Sequence, residues 1–196
     1  MVRRMRNRPE IVARMHAQEF ITPSMQETWF QSIDNNRNYF FIIFFQGNSV
    51  GLIQGKNVDF RDRCCEGGIY LWCNRALAQG VGAKASVCFV DVAFSVFGMN
   101  WISAKVRRDN PYAYRHNQTL GYVPDAVKGE EWMRLDKDRF LSLAPRLRQV
   151  CSGGKDFLPV SIHDIDFPDP DSCRYLYQGL PTDVRAVLAS KLPGLD

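Results

Sequence analysis

The sequence is poor in the residues that build metal centres. Its three histidines stand far apart, and its six cysteines (Cys64, Cys65, Cys73, Cys88, Cys151 and Cys173) show no paired C-x-x-C spacing. That pattern argues against a structural zinc site, and buried free thiols in a reducing compartment are expected instead. Long apolar runs are also lacking. The longest, Tyr39–Phe45, falls far short of the roughly 20 residues a bilayer span needs. The basic opening, MVRRMRNRPE, leads into no apolar h-region, so no secretory signal is read. There is no internal repeat and no long polar tract of the kind that stays disordered. A soluble, cytoplasmic protein with no metal and no membrane partner is the expectation.

What is present suits one domain, or one domain with an appendage. The chain has 196 residues, 45% of them hydrophobic, enough to bury a core. The net charge of +4 is carried by Arg3, Arg4, Arg6, Arg8 and Arg14 and by the stretch from Lys105 to Arg108. Such a balance suits an anionic small molecule or nucleic acid, or is simply a solvated basic face.

The centre of the chain is Glu66 to Phe97. Tyr70, Leu71 and Trp72 follow two glycines and read as a strand. A polar stretch follows, and Gln79-Gly80-Val81-Gly82 then opens an apolar segment too long for a strand. Strand, glycine turn and helix N-terminus in that order leave successive N–H groups free, at the positive end of a helix dipole. That is a seat for phosphate or pyrophosphate. Within Gly82–Phe97 the polar residues Lys84, Asp91 and Ser95 recur at near-helical spacing, predicting a buried helix with one narrow wet stripe ended by Gly98.

On the N-terminal side, Ile11, Val12, Met15 and Phe20 are helical in period, and Thr22-Pro23-Ser24 breaks the pattern. Ser24 with Glu27 is a capping-box pattern that starts a second helix over Met25–Ile33. Tyr39–Phe45 reads as a strand buried on both faces, Gln46-Gly47-Asn48 as a hairpin turn, and Ser49–Ile53 as the returning strand. On the C-terminal side, Trp101–Val106 is a strand, and Asp109-Asn110-Pro111 begins a helix that Gly121 ends. Tyr122-Val123 and Trp132–Leu135 form a closing pair of strands. Asp138–Arg148 is a candidate helix, Ser152-Gly153-Gly154 and FPDPD (Phe167–Asp171) are loop sequence, and Asp183–Leu192 is a terminal amphipathic helix. Thr182 is its candidate cap, Val184, Val187, Leu188 and Leu192 form its stripe, and Pro193-Gly194 stops it. This order predicts a mixed α/β fold, a central mixed sheet with helices on both faces.

The order and the quoted residues resemble the GNAT superfamily of acetyl-coenzyme A-dependent N-acetyltransferases, over about Arg4 to Phe140. In that family the fourth strand leads into Q/R-x-x-G-x-G/A, whose amides bind the pyrophosphate of acetyl-CoA. Gly80-Val81-Gly82 supplies the glycine pair, and Leu77 stands at the Q/R position. A second family pattern, N-x-x-A-x-x-x-Y-x-x-x-G-F/Y, is matched by Asn110, Ala113, Gly121 and Tyr122, with Asn117 in the tyrosine position. RNRPEI (Arg6–Ile11), YFFIIFFQGNSVGLI (Tyr39–Ile53) and CEGGIY (Cys65–Tyr70) look most like the bacterial branch that acetylates the 4-amino group of a UDP-linked 4-amino-4,6-dideoxy sugar, on the route to pseudaminic acid. The ribosomal-protein-alanine N-acetyltransferases come next in pattern. The family's first strand precedes the R-N segment, and this chain begins almost on it. The resemblance therefore implies a GNAT domain over residues 1–140 with that strand missing or supplied otherwise. A C-terminal extension, 141–196, is expected to pack on it, and the terminal helix is a candidate surface for a homodimer.

The resemblance implies acetyl-CoA as co-substrate, no metal, and direct transfer to a primary amine, with no nucleic-acid partner. For the cofactor it points to Leu71, Trp72, Cys73, Gln79, Gly80, Val81, Gly82, Ala83, Lys84, Asn110 and Asn117. A backbone N–H near Leu71–Cys73 would polarise the carbonyl. Glu66 lies fourteen residues before Gly80, where some branches place a catalytic glutamate. Alternation puts it on one strand face with Gly68, Tyr70 and Trp72. It takes the amine's proton, directly or through water, or else pairs with Arg63 or another arginine. For the leaving thiolate the candidates are Asn117, which hydrogen-bonds but does not protonate, Tyr114 nearby on the same helix, and water. Asn110 serves the pantetheine arm, caps its helix, or both. Arg6, Asn7 and Tyr70 are candidate acceptor contacts; a solvated terminus for the first two and a core place for the third are the plainer alternatives. Three functional readings follow: an amino-sugar N-acetyltransferase, a protein N-terminal acetyltransferase, or a non-catalytic CoA-binding or interaction domain.

Overall fold

The computed structural model describes residues 1–153 and 177–191. The FPDPD loop, Gly154, Cys173, Leu192 and Pro193-Gly194 lie outside these described residues. Three helices, α1 (Val2–Arg6), α2 (Pro9–Val12) and α3 (Pro23–Ile33), precede a hairpin of β1 (Tyr39–Phe45) and β2 (Asn48–Asp59). Then come β3 (Cys64–Leu71), α4 (Asn74–Ala78), α5 (Val81–Ser95), β4 (Trp101–Lys105) and α6 (Pro111–Leu120). The short β5 (Val123–Pro124), β6 (Trp132–Asp136), α7 (Lys137–Ser152) and α8 (Thr182–Lys191) complete the described chain. The six strands form one mixed sheet in the order β1-β2-β3-β4-β6-β5, with β3 and β4 its parallel pair. A mixed α/β architecture is therefore what the chain adopts.

Alternation along the strands sorts the two faces of the sheet. Cys65, Ile102, Ala104, Met133 and Leu135 point to one face and join the main core with Val87, Val90 and Phe94 of α5 and Phe140 and Ala144 of α7. On the other face, Trp72 and Leu52 pack with Ile11 of α2, with Tyr70, Phe40 and Val2 around them.

Several local expectations are revised. Phe20 is outside any helix, because Arg6 donates to the Ala17 carbonyl (2.6 Å) and Asn7 both donates to and accepts from the Ile21 backbone (2.8 and 2.9 Å). These bonds hold the stretch after α2 as a loop. The cap of α3 is Thr22, whose hydroxyl accepts from the Met25 amide at 3.2 Å, not Ser24. Pro23 prefers the first helical position, so the cap falls one residue before it. β1 is an edge strand: only Ile43 is buried, and Phe44 is 67% exposed. The sequence pattern of a two-sided core strand arises instead because α3 covers part of its outer face, Trp29 meeting Phe40 edge-on at 5.2 Å. Asp91, expected on a wet stripe, is 7% exposed and accepts from Nε and Nη2 of Arg148 on α7 (3.1 and 2.5 Å). The stripe of α8 is likewise spent within the chain, since Val184 and Leu188 pack with Leu180 against Val96, Val92 and Phe97.

β2 runs on well past the expected Ile53, and Gly51 and Gly55 lie within it. A Cβ at Gly51 would stand 2.4 Å from Leu71 Cδ2 and 2.8 Å from the Tyr70 carbonyl oxygen. A backbone atom cannot rotate away as a side chain can. Gly51→Ala should therefore destabilise the fold by about 1–3 kcal/mol, the usual cost of overpacking, read as a lowered urea midpoint with unchanged slope.

Candidate active site

The site is built where β3 and β4 part. Their parallel register covers only Cys64↔Trp101, Cys65↔Ile102 and Glu66↔Ser103. β3 then continues beside β2 as far as Leu71, while β4 departs with β6. The Trp72 amide donates to the Val50 carbonyl at 2.9 Å, so alternation turns the N–H groups of Leu71 and Ile69 away from β2 and toward the gap. The Trp72 amide is thus committed to the sheet. Its indole Nε1 also donates inside the fold, to the Ser49 carbonyl at 2.8 Å, and its ring is 9% exposed. Among Leu71, Trp72 and Cys73, it is Leu71 whose amide the strand geometry aims at the opening.

At the far end of the gap, Cys73 caps the short α4, and Gln79 and Gly80 turn the chain into α5. Gly80 has φ +70°, a left-handed conformation that favours glycine, and a Cβ there would meet nothing within 4 Å. The Lys84 amide closes the first turn onto the Gly80 carbonyl (3.1 Å). The amides of Val81, Gly82 and Ala83 donate to no acceptor among the described residues. The first turn carries no acidic side chain, and Lys84 follows one turn in. Gly82 lets the helix start close against β3, since a Cβ there would lie 3.0 Å from Leu71 Cδ1. Free amides, an open mouth and a nearby cation fit a diphosphate, and the gap leading back along β3 fits an extended chain attached to it.

At the vertex of the gap, on the sheet face opposite α5, lies a cavity of about 200 Å³. Asn57, Glu66, Trp101, Ser103, Lys128 and Trp132 line it together with Cys64. Glu66 Oε1 pairs with Lys56 Nζ at 2.8 Å, and Oε2 accepts from Asn57 Nδ2 at 3.4 Å. Arg63, the partner considered from the sequence, instead reaches Asp183 of α8 at 2.9 Å. Among the described residues no group of three or more His, Cys, Asp and Glu could hold a metal ion, and no helix is long and apolar enough to cross a membrane.

The acetyltransferase (GNAT) domain family matches residues 1–123. The chain belongs to that family. It is an acyltransferase that uses acetyl-CoA as its acyl donor. No curated protein matches the chain in sequence. Among solved structures it is similar in fold to spermidine N-acetyltransferase from Vibrio cholerae in complex with CoA and spermine, at 16% identity and a TM-score of 0.63, covering 71% of this chain and 90% of that one. It is also similar to aminoglycoside acetyltransferase AAC(6')-Ib in complex with coenzyme A, at 18% identity and a TM-score of 0.61, covering 72% and 91%. A dodecameric form of the Vibrio cholerae enzyme gives 17% identity and a TM-score of 0.56 over 71% and 88%.

The acetyltransferase places its remaining sequence candidates unevenly. Asn110 caps α6, its Oδ1 accepting from the Ala113 amide at 3.1 Å. Asn117 donates from Nδ2 to Met133 Sδ at 3.8 Å, turned toward β6. Tyr114, three residues earlier, packs half-buried on the same main core. Arg6, the last residue of α1, lies beside Tyr70; burial lowers the Arg6 pKa and raises that of Tyr70 to about 12. Asn7 is taken up by the Ile21 backbone.

Sequence reasoning missed the rest of the vertex. Trp101 and Trp132 come from strands read only as strands, and Lys128 from a loop. The Tyr122 hydroxyl lies 3.4 Å from where a Cβ of Gly67 would stand, one residue past the last paired position. Its place at the end of the Asn110-to-Tyr122 pattern was the available signal.

Two outcomes follow. Coenzyme A should protect the amides of residues 79–84 from hydrogen exchange, and Gly82→Val, which drives a side chain into Leu71, should weaken its binding at least tenfold by calorimetry. Separately, Ser86 Oγ and His116 Nε2 form a 3.0 Å hydrogen bond between α5 and α6, and burial lowers the His116 pKa. The unfolded chain then binds the extra proton below about pH 6.5, so this contribution is complete above that pH and is lost as pH falls. Urea midpoints measured between about pH 5 and 7 should fall less steeply for His116→Gln than for the wild type.

Proposed function

We propose that the enzyme transfers the acetyl group to the 4-amino group of a nucleotide-linked 4-amino-4,6-dideoxy sugar, in the cytoplasm. The observation that carries this reading is the vertex cavity. It opens beside the acyl-donor gap and offers Asn57, Glu66 and Ser103, with the indoles of Trp101 and Trp132, to a polar ring that carries an amine. The resemblance of Arg6–Ile11, Tyr39–Ile53 and Cys65–Tyr70 to the amino-sugar branch supports the same acceptor. The solved neighbours named above act on spermidine and on aminoglycosides by their descriptions, and the group all these acceptors share is an amine.

Acetyl-CoA supplies a thioester carbonyl, and the chain's own groups do the rest. The Val81, Gly82 and Ala83 amides and Lys84 hold the diphosphate, and the Ile69 and Leu71 N–H groups are the donors offered to the arm and the carbonyl. An aliphatic ammonium with a pKa of roughly 8 to 10 must lose a proton before it can attack. Glu66 receives that proton, held in place by Lys56 and Asn57. A new N–C bond then forms as the C–S bond breaks, and the departing thiolate takes a proton from solvent or from a nearby hydroxyl.

Thiol release should appear when acetyl-CoA is mixed with the UDP-linked 4-amino sugar. Glu66→Gln should lower kcat by about 10²–10⁴ while leaving the heat of coenzyme A binding intact. Faster turnover with a peptide N-terminus than with any amino sugar would replace the sugar with a protein acceptor. Coenzyme A binding without turnover of any amine would favour the non-catalytic reading.

A further inference from the structure

We infer that Trp101 and Trp132 form a cage for the acceptor's ammonium group, and that Lys128 is a tethered ammonium holding that place until the acceptor arrives. The inference rests on the reading that the acceptor amine enters the vertex cavity. Lys128 Nζ sits 4.9 Å from the Trp101 ring centroid and 4.8 Å from that of Trp132. It donates to Ser103 Oγ at 3.2 Å, and Ser103 is the last β4 residue paired with β3. A primary ammonium therefore already stands where the two strands part, on the same cavity wall as Glu66.

The charges around it make an exchange neutral. Lys56 pairs with Glu66 at 2.8 Å, Arg134 with Asp136 at 2.7 Å, and Lys105 approaches Glu131 at 3.9 Å. Among the described residues Lys128 has no carboxylate partner. Two indole faces and one hydroxyl hold it, and the ring quadrupoles attract the cation. An acceptor's ammonium is the same chemical group, so it can replace Lys128 without leaving a charge unpaired or adding one.

Lys128 is also free to leave. It is an exposed residue in the turn between β5 and β6, outside both strands. Asp125 Oδ1 accepts from the Val127 and Lys128 amides (3.1 and 3.2 Å), and Gly129 has φ +108°. The turn is thus fixed by the Asp125 carboxylate and by the backbone bond from the Gly129 amide to the Asp125 carbonyl, and withdrawing the Lys128 side chain breaks no sheet pairing. Once the acceptor's ammonium is caged, Glu66 is the carboxylate on hand to take its proton.

The probe is n-butylammonium, which reproduces the end of a lysine side chain, titrated while tryptophan fluorescence is followed. Lys128→Ala should bind it about tenfold more tightly than the wild type, and 1-butanol should give no matching signal. Lys128→Met, which keeps the apolar stem, should show the same gain and guards against collapse of the turn. Adding Trp132→Leu to Lys128→Ala should abolish the gain. In turnover, Lys128→Ala should lower KM for the UDP-linked 4-amino sugar more than it changes kcat. Equal n-butylammonium affinity in wild type and both Lys128 variants would overturn the cage, as would a gain that survives Trp132→Leu. A raised KM in Lys128→Ala would also overturn it, making Lys128 a contact to an anionic part of the acceptor. Because n-butylammonium binding needs neither acetyl-CoA nor turnover, a sugar that is not acetylated refutes the sugar reading and leaves the cage to be judged on its own titration.

Discussion

Everything in the site depends on the point at which two parallel strands stop bonding to each other. Beyond Glu66 and Ser103 the backbone groups of β3 that face β4 have no ladder partner, and unpaired backbone groups need another donor or acceptor. That requirement turns a sheet into a binding cleft. The same parting exposes the Ile69 and Leu71 amides on one stretch and leaves a cavity at its vertex. β3 does not follow β4 outward because the long β2 holds it by an antiparallel ladder from Gly51 to Lys56.

Close approach on both sides keeps the gap in shape. Gly51 brings β2 against Leu71, and Gly82 brings the start of α5 against the same leucine. Leu71 is thus gripped from two directions at the end of the strand, just before the chain turns into the amides at the mouth of α5. The buried Asp91–Arg148 pair fixes α5 to α7, and α6 is tied to α5 through Ser86 and His116. The helix whose N-terminal amides are unbonded among the described residues is therefore braced along its length, which pre-sets those amides.

The opposite face is organised by side-chain bonds more than by regular structure. Arg3, Arg6 and Asn7 hold the loop that ends at Ile21 through its carbonyls and amide. Their apolar neighbours cover Trp72 and Tyr70. Among the described residues the cover stops short of Glu66, and there the sheet face carries tryptophans and cations. Arg134 and Lys128 both lie over Trp101, and Lys105 and Lys128 over Trp132. Charge on this sheet face is accommodated by aromatic rings and by neighbouring carboxylates.

The sequence by itself determined most of the elements and the turn that opens α5. The period of α5, the left-handed glycine before it, the cap and terminal glycine of α6, and the strand and turn of the β1–β2 hairpin are local matters of spacing and backbone freedom, so they were legible residue by residue. It misplaced the cap of α3 by two residues and made β1 a two-sided core strand, because a neighbouring helix covers apolar residues that no strand flanks. Only the tertiary structure decided which groups share the vertex. Glu66, Ser103, Trp101, Trp132 and Lys128 come from three strands and a loop, and their meeting follows from the sheet order β3-β4-β6 and from where one register ends. The same long-range packing turned Asn117 toward Met133 and gave Arg63 to α8. A pairing register joins residues distant in the chain, and no local pattern fixes where it stops.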